Sequence, residues 1–262
     1  MMNNLRISLL QSEITWENKK QNIKYYGHLL EKIAGKSDLV VLPEMFSTGF
    51  SMQSEHLAET NEGNTIQNIR TWSKTYDFAL CGSFLAKDND SGKIFNRGFF
   101  ITPQGNAYYY NKRHLFRMSE ENNYFTAGDQ KLIITYKGWN ICLIICYDLR
   151  FPVWTRNRNK EYDLLICPAN WPESRSTAWE ILLKARAIEN QSYVCGVNRI
   201  GEDGTGILYK GNSALIDFKG KTIIELPMNT ESIITKILDK ESLENFREKF
   251  PAWLDADLFE IR

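Results

Sequence analysis

The sequence contains little of what metal centres and disulfide frameworks are built from. It has three histidines, His28, His56 and His114, which argues against a His-rich metal centre. It has five cysteines, an odd number, and no two of them are spaced as C-x-x-C. This pattern argues against a disulfide framework or a zinc site and is typical of reduced intracellular thiols. The cysteines are Cys81, Cys142, Cys146, Cys167 and Cys195.

Net charge and long apolar runs are also missing. Lysine plus arginine and aspartate plus glutamate both number 32, so the formal net charge is zero and there is no basic footprint for nucleic acid. No apolar run approaches the ~20 residues that a membrane helix needs, and the opening MMNNLRISLLQSEI has no signal-peptide core of adequate length. We therefore expect a soluble cytoplasmic protein with no nucleic-acid or membrane partner.

The composition does supply a core, because 43% of the 262 residues are hydrophobic. Strand and helix patterns alternate in the first and third quarters, hairpin patterns fill the other two, and we find no linker or repeat. We therefore predict one domain over residues 1–262. Predicted strands cover residues 5–10, 38–42, 78–85, 95–102, 107–110, 132–136, 139–145, 164–167, 192–197, 212–217, 221–226 and 232–238. Predicted helices cover 16–33, 65–76, 151–159, 176–191 and 239–248, and the main predicted loops are 47–64, 111–128, 168–175 and 201–211.

Residues 139–152, WNICLIICYDLRFP, are the stretch around which the chain is organised. Ile141 to Ile145 is an unbroken apolar run that predicts a strand buried on both faces. The run stops at Cys146 and polar residues follow at once, so one thiol lies at a strand end, where α/β sheets bind ligands. The alternative at this point is that Cys146 is a small core residue, as most free cysteines are.

Two charged residues occupy comparable positions. Glu44 follows a predicted buried strand and Pro43, and Lys112 follows the aromatic strand end at 108–110. Each has a simpler interpretation, the glutamate as a turn or cap residue and the lysine as a solvated loop residue. Together with Cys146 they indicate chemistry, because strand ends of one sheet can converge in space.

The segments around these three residues resemble the signatures of the carbon–nitrogen hydrolase (nitrilase) superfamily. They are LPEMF around Glu44, NKRHLF around Lys112 and CYDLRFP around Cys146, with spacings of 68 and 34 residues. PANWP (168–172) and ARAIENQ (185–191) match as well, and KRHLFRMSEE, CYDLRFPVW and FPAWLDAD look most like the ω-amidase branch. The resemblance covers essentially the whole chain and implies an α/β fold, a four-layer α-β-β-α sandwich.

The resemblance implies roles that suit amide cleavage. Cys146 attacks as a thiolate that the Lys112 cation stabilises, and Lys112 holds the oxyanion together with the backbone N–H of Tyr147. Glu44 takes the thiol proton, delivers it to departing ammonia and later activates water against the thioester.

Two further residues lie near the lysine signature. A second glutamate commonly supports the lysine in this family, and its distance from Gly128 favours Glu121 over the adjacent Glu120. His114, inside the signature, is expected to be a structural side chain that bonds the loop.

The resemblance further implies a small-molecule amide as substrate. ω-Amidases hydrolyse the terminal amide of dicarboxylic acid monoamides such as 2-oxoglutaramate and 2-oxosuccinamate, and a distal carboxylate calls for a cation, for which an arginine fork is suited. Arg175, in a loop after a strand end, is slightly preferred, whereas Arg150 has equal claim to be a structural salt-bridge partner. The predicted pocket walls are Phe116, Tyr147, Asn170 and Trp171.

The resemblance also implies a homodimer that works without a metal or cofactor. The aromatic tail, residues 249–262, is expected to dock on its own subunit or at the dimer interface. Two rivals remain at this point: a nitrilase or N-carbamoyl amidohydrolase with the same triad, and a non-catalytic binding protein with the same fold. A purely structural protein would leave the charged loop 111–128 unexplained.

Overall fold

Two six-stranded mixed sheets form the centre of the computed structural model, which describes residues 4–261. The first sheet contains β1 (Leu5–Gln11), β2 (Leu39–Val41), β3 (Ala79–Lys87), β4 (Ile94–Ile101), β5 (Ala107–Asn111) and β14 (Ser232–Leu238), in the order β14-β1-β2-β3-β4-β5. The second contains β6 (Leu132–Tyr136), β7 (Trp139–Leu143), β8 (Leu164–Ala169), β9 (Tyr193–Asn198), β12 (Ala214–Ile216) and β13 (Thr222–Glu225), in the order β13-β12-β9-β8-β7-β6. Strands β1–β2–β3 and β7–β8–β9 are parallel, and the outer pairs are antiparallel.

Helices cover the outer face of each sheet. The α-helices between residues 4 and 261 are α1 (Lys19–Glu31), α2 (Ser54–Leu57), α3 (Asn64–Tyr76), α4 (Glu121–Tyr124), α5 (Pro152–Thr155), α6 (Ser176–Asn190) and α7 (Lys240–Lys249). The apolar stripes of α1 and α3 pack on the first sheet, and those of α6 and α7 pack on the second. The four-layer α-β-β-α sandwich is thereby confirmed.

Strand alternation explains why both faces of the first sheet are buried. Leu5, Ile7 and Leu9 of β1 face the second sheet, whereas Leu10 faces the helices. The two sheets approach so closely that a Cβ on Gly98 would lie 2.9 Å from Leu143 Cδ2. The central strands are therefore continuous apolar runs rather than alternating ones.

Asp38, directly before β2, joins the two sheets. Its carboxylate accepts hydrogen bonds from the side chains of Arg6 (3.0 and 3.2 Å) and Lys137 (2.6 Å), and Tyr136 Oη donates to its carbonyl at 3.0 Å. Burial alone would raise the pKa of the Asp38 carboxyl group, but the hydrogen bonds from Arg6 and Lys137 prevail and lower the pKa to about 2.

Several predicted elements differ from the structure for local reasons. The helix predicted at 16–33 is shorter, because Glu17 has a φ of +54° and the Asn18 side chain caps the helix by accepting the Gln21 N–H at 3.1 Å. The helix predicted at 151–159 is reduced to Pro152–Thr155, and the strand predicted at 139–145 ends at Leu143.

The predicted loops carry more structure than expected. Loop 47–64 contains α2, and loop 111–128 contains α4 and the 3₁₀ turn Arg117–Ser119. In loop 168–175, β8 extends to Ala169 and Glu173–Arg175 is a 3₁₀ turn. The glycine-rich segment 201–211 is largely a hairpin of β10 (Ile200–Glu202) and β11 (Leu208–Lys210).

The C-terminal tail contacts its own chain beyond α7. Lys160 Nζ lies 4.5 Å from the ring of Trp253, and the Arg158 guanidinium lies 5.8 Å from the ring of Phe259. Leu258 is 94% exposed, so the tail also presents apolar surface to solvent. Residue 262, the last of the predicted tail, lies outside the described residues, as do residues 1–3 at the start of the predicted domain.

Candidate active site

The ends of three strands bring Glu44, Lys112 and Cys146 together. Glu44 follows β2, Lys112 follows β5, and Cys146 begins the 3₁₀ turn Cys146–Arg150 that follows β7. Lys112 is held in place through its backbone, which donates to Asn96 O at 3.0 Å and accepts from Gly128 N at 2.9 Å. All three side chains are buried and line one cavity.

Lys112 lies between two buried carboxylates. Its Nζ is 3.0 Å from Glu44 Oε1 and 3.0 and 3.1 Å from the two oxygens of Glu121. Burial lowers the pKa of the Lys112 ammonium, but Glu121 and Glu44 outweigh burial and raise it above its ordinary value. The ammonium therefore stays charged. The structure brings Glu121, and not the exposed Glu120, to this position.

Glu121 is itself anchored by the loop that carries it. Its Oε2 accepts the backbone N–H of Phe116 at 2.5 Å in addition to the lysine. Burial raises the pKa of the Glu121 carboxyl group, while Lys112 lowers it and Glu44 raises it. The site thus holds two carboxylates and one ammonium away from water, and burial favours the protonated form of Glu121.

Cys146 adopts a backbone conformation that is unusual for a residue with a side chain. Its φ is +44°, and its thiol points to Asn170 O at 3.9 Å. Burial raises the pKa of the Cys146 thiol well above its ordinary value, and the Glu44 charge adds to this more than the Lys112 charge opposes it. Burial and Glu44 therefore oppose the thiolate that Lys112 favours, so removal of the thiol proton calls for a base, the role that the sequence predicts for Glu44.

Asp148 fixes the turn that begins at Cys146. Its Oδ1 accepts from the backbone N and ring Nδ1 of His114 at 2.9 and 2.8 Å, and its Oδ2 accepts from Tyr110 Oη at 2.7 Å and Ile145 N at 3.0 Å. These bonds tie the lysine segment to the cysteine turn. The structural role predicted for His114 is confirmed, and its ring also stacks on Phe151 at 3.7 Å.

The buried triad opens into a cavity of about 660 Å³. Both candidate arginines line it, with the Arg150 guanidinium 4.9 Å from the ring of Trp171 and the Arg175 guanidinium 5.1 Å from the ring of Phe116. Neither arginine forms a salt bridge with any residue between 4 and 261. Their charges are therefore available to an anionic ligand, and Arg150 is not a salt-bridge partner within the described chain.

The four predicted wall residues, Phe116, Tyr147, Asn170 and Trp171, also line the cavity. Asn170 does more than form a wall, because its backbone N–H donates to Glu44 Oε2 at 2.7 Å and its Nδ2 donates to Glu44 O at 2.7 Å. The ring of Tyr147 packs edge-on against Phe116 at 5.0 Å. The aromatic walls leave the polar groups at the base of the cavity shielded from water.

Several residues of the site lie outside the sequence motifs and were not predicted. Asn96 donates to both Glu44 and Glu121, and an isolated asparagine inside the apolar strand IFNRGFF is the feature that could have identified it. The β10–β11 hairpin and the loop after β1 complete the cavity mouth. Their lining residues are Trp16, Glu17, Asp203, Thr205, Ile207 and Tyr209.

A metal site, a disulfide bond and a membrane-spanning helix are not found in the described part of the chain. Residues 4–261 contain no group of three or more His, Cys, Asp or Glu side chains placed to hold a metal ion. All five cysteines are free and buried. No helix within the same range is long and apolar enough to cross a bilayer.

Comparison with known proteins places the site in a family. The carbon–nitrogen hydrolase family matches residues 6–248. The chain is 42% identical over 260 residues to the omega-amidase YafV of Escherichia coli K12, covering 99% of this chain and 100% of that protein. It is 30% identical to a 2-oxoglutaramate amidase of Bacillus subtilis, covering 95% and 96%.

Solved structures agree with this placement. The crystal structure of XC1258 from Xanthomonas campestris, a CN-hydrolase superfamily protein with an arsenic adduct in its active site, superposes with a TM-score of 0.96 at 43% identity over 99% of both chains. Nit3 of Saccharomyces cerevisiae, a member of the nitrilase superfamily, has a TM-score of 0.85 at 25% identity, covering 95% and 94%. The fold, the matched family and the full-length relatives agree: the chain belongs to the carbon–nitrogen hydrolase family.

Proposed function

We propose that this protein is an ω-amidase that hydrolyses the terminal amide of a small dicarboxylic acid monoamide, such as 2-oxoglutaramate or 2-oxosuccinamate, to the acid and ammonia. The observation that carries the proposal is a buried Glu44, Lys112 and Cys146 cluster at the base of a cavity that also holds two arginines, neither of which forms a salt bridge with any of residues 4–261. The names of the full-length relatives support the same reaction.

The reaction begins with proton transfer from the Cys146 thiol to Glu44. The sulfur then attacks the amide carbonyl carbon, and the oxyanion is held by Lys112 Nζ and the backbone N–H of Tyr147. Glu44 passes the proton to the leaving nitrogen, the C–N bond breaks, and ammonia departs from a thioester on Cys146. Water then attacks the thioester with Glu44 as base, and Glu44 returns the proton to the sulfur as the acid leaves.

Protonation of Glu44 frees the charge of Lys112 to stabilise the oxyanion. In the resting site its ammonium is shared between Glu44 and Glu121, 3.0 Å from an oxygen of each. Once Glu44 is protonated it attracts the ammonium less, so the lysine can turn its charge to the new oxyanion while Glu121 keeps it in position.

The two arginines would select the substrate by its far carboxylate. Arg175 is the preferred partner and Arg150 the second, because each guanidinium faces the cavity with one side against an aromatic ring. A planar guanidinium can bind a carboxylate through two parallel N–H groups, which adds orientation to attraction. The amide at the other end of the substrate then lies over Cys146.

The test is ammonia release from matched substrates. Succinamate and butyramide differ at the end remote from the amide, where the first has a carboxylate and the second a methyl group. We expect Arg175→Gln to lower kcat/KM for succinamate by about 10- to 100-fold, the range for hydrogen bonds to a charged group, and to leave butyramide nearly unchanged. Arg150→Gln is the matched variant. The arginine whose replacement causes the larger loss for succinamate is the main partner of the substrate carboxylate.

Other outcomes would favour the rival functions. Faster turnover of nitriles or N-carbamoyl compounds than of monoamides would make the protein a nitrilase or N-carbamoyl amidohydrolase. Binding of a monoamide without ammonia release would make it a non-catalytic binding protein. Equal losses for succinamate and butyramide in Arg175→Gln would remove the arginine from carboxylate recognition.

We also propose that the chain is a single-domain cytoplasmic homodimer. Ile181 and Ile188 are exposed on α6, and Leu254 and Leu258 are exposed in the tail, so apolar surface is available for a second copy. Light scattering on the purified protein tests the dimer, and a monomer at micromolar concentration would contradict it. Deletion of residues 252–262 should weaken the dimer if the tail lies at the interface.

A further inference from the structure

We propose that Asn96 is a positioning residue that holds Glu44 in the geometry required of the base. The inference rests on the proposed function, since it concerns how the same site works. Asn96 lies in β4, on a strand that is otherwise mostly apolar, and is fully buried. A buried amide in such a strand requires a hydrogen-bonding reason.

The amide of Asn96 contacts both carboxylates of the site. Its Nδ2 donates to Glu44 Oε1 at 2.7 Å and lies 3.3 Å from Glu121 Oε1. Its backbone carbonyl accepts the N–H of Lys112 at 3.0 Å. Asn96 therefore contacts all three charged residues, and its hydrogen bond to Glu44 is shorter than its contact with Glu121.

Ser83 supports the orientation of the Asn96 amide. The Met45 N–H donates to Ser83 Oγ at 2.9 Å, and Ser83 Oγ donates to Asn96 Oδ1 at 3.0 Å. Because the carboxylates of Glu44 and Glu121 can only accept, the Asn96 amide turns its NH₂ group towards them. Its oxygen then faces Ser83 and accepts the proton of the serine hydroxyl. Met45 adjoins Glu44 in the chain, so these hydrogen bonds form a closed ring that begins and ends at Glu44.

This ring leaves one oxygen of Glu44 for proton transfer. Oε1 already accepts from both Lys112 and Asn96, whereas Oε2 accepts from the backbone N–H of Asn170. The carbonyl of Asn170 accepts the Cys146 thiol, so Oε2 and the sulfur lie beside the same residue. Asn96 thus helps to fix the plane of the Glu44 carboxylate, and without it only Lys112 and the Asn170 N–H hold the two carboxylate oxygens.

The experiment compares Asn96→Ala, Ser83→Ala and the double variant. We expect Asn96→Ala to lower kcat for succinamate by about 10- to 100-fold and Ser83→Ala by less, with KM within about threefold in both, because neither side chain reaches the substrate. The double variant should lose less activity than the product of the two single losses, since Ser83 acts partly through Asn96 and partly through the Met45 N–H. A change in KM alone, or losses that multiply, would overturn the proposal.

A second readout does not depend on the substrate. Iodoacetamide alkylation of Cys146 measures how readily the base removes the thiol proton, and it should slow in the same order as kcat. If no monoamide is hydrolysed but alkylation follows that order, the proposed function fails and the role of Asn96 stands. Unchanged alkylation in a folded Asn96→Ala variant contradicts the positioning role.

Asn157→Ala provides the matched control for loss of a buried asparagine. Asn157 Nδ2 donates to Tyr162 O at 2.8 Å and Asn190 O at 3.0 Å, outside the cavity lining. It should lower thermal stability while leaving kcat, KM and alkylation unchanged. If Asn96→Ala does not fold, Ser83→Ala alone decides, and wild-type kcat and alkylation in that variant would overturn the proposal.

Discussion

Replacing Lys112 with methionine removes the ammonium that lies between Glu44 and Glu121 while keeping an apolar stem of similar length. Both carboxylates are fully buried, and each has an oxygen 3.0 Å from the lysine nitrogen. Removing one partner of a buried ion pair costs about 3–5 kcal/mol, because the remaining charge is left without compensation. We expect the free energy of unfolding of Lys112→Met to fall by about 3 kcal/mol at neutral pH, the lower end of that range, because a carboxylate can take up a proton.

The pH dependence of this loss follows from Glu121. Burial already raises the pKa of its carboxyl group, and loss of Lys112 removes an opposing influence. A group whose pKa is raised in the folded state stabilises that state below its ordinary pKa and loses this contribution as the pH rises. The deficit of Lys112→Met should therefore be largest at neutral pH and shrink as the pH falls towards about 4.

The activity of Lys112→Met should fall even in the fraction of the protein that remains folded. One oxyanion donor contributes about 10²- to 10³-fold to kcat, and here the donor carries a full charge. We expect kcat for succinamate to drop at least about 10³-fold in folded Lys112→Met protein. Urea denaturation gives the stability and ammonia release gives kcat.

The double variant Lys112→Met, Glu121→Gln separates the two effects. It removes the surplus carboxylate, so most of the lost stability should return while kcat stays low. Wild-type stability in Lys112→Met would refute the buried ion cluster. Recovery of activity in the double variant would refute the need for the lysine as oxyanion donor.

Three shorter predictions follow from the same geometry. Cys146→Ala should abolish ammonia release while the circular dichroism spectrum and melting temperature stay near wild type; near wild-type turnover would rule out the thioester. Asp38→Asn should lower the free energy of unfolding by about 1–2 kcal/mol at neutral pH, after allowance for solvent screening, in urea titrations. That loss should disappear as the pH falls from 3.8, the ordinary pKa of the carboxyl group, to about 2, its pKa in the folded protein. A carboxyl group with a lowered pKa stabilises the folded state only while it is ionised. Gly128→Ala should reduce both stability and kcat, because a Cβ there would lie 2.1 Å from Asn111 O beside the strand end that carries Lys112; wild-type kcat and melting temperature would contradict this.

Much of the fold is determined by local pattern. The apolar runs at 38–42 and 139–145 predict strands buried on both faces, and these became β2 and β7 within the two sheets. Helix ends were less predictable, because the cap on Asn18 and the left-handed Glu17 depend on neighbours that periodicity does not reveal.

The sequence by itself determined which residues carry the proposed chemistry. Glu44, Lys112 and Cys146 stand in three short signatures whose residue types suit a base, a cation and a nucleophile. The family resemblance implies a second glutamate, the distance from Gly128 favours Glu121 over Glu120, and the structure places Glu121 at the lysine.

Only the tertiary structure decided the burial of these groups and their supporting contacts. Burial raises the pKa of the Cys146 thiol, and burial depends on how the two sheets pack rather than on the sequence around the cysteine. Asn96 and Asn170 reach Glu44 from strands and loops 52 and 126 residues away, so no local pattern could pair them with it. Residue type is encoded locally, whereas dielectric surroundings and hydrogen-bond partners depend on which distant segments the fold makes adjacent.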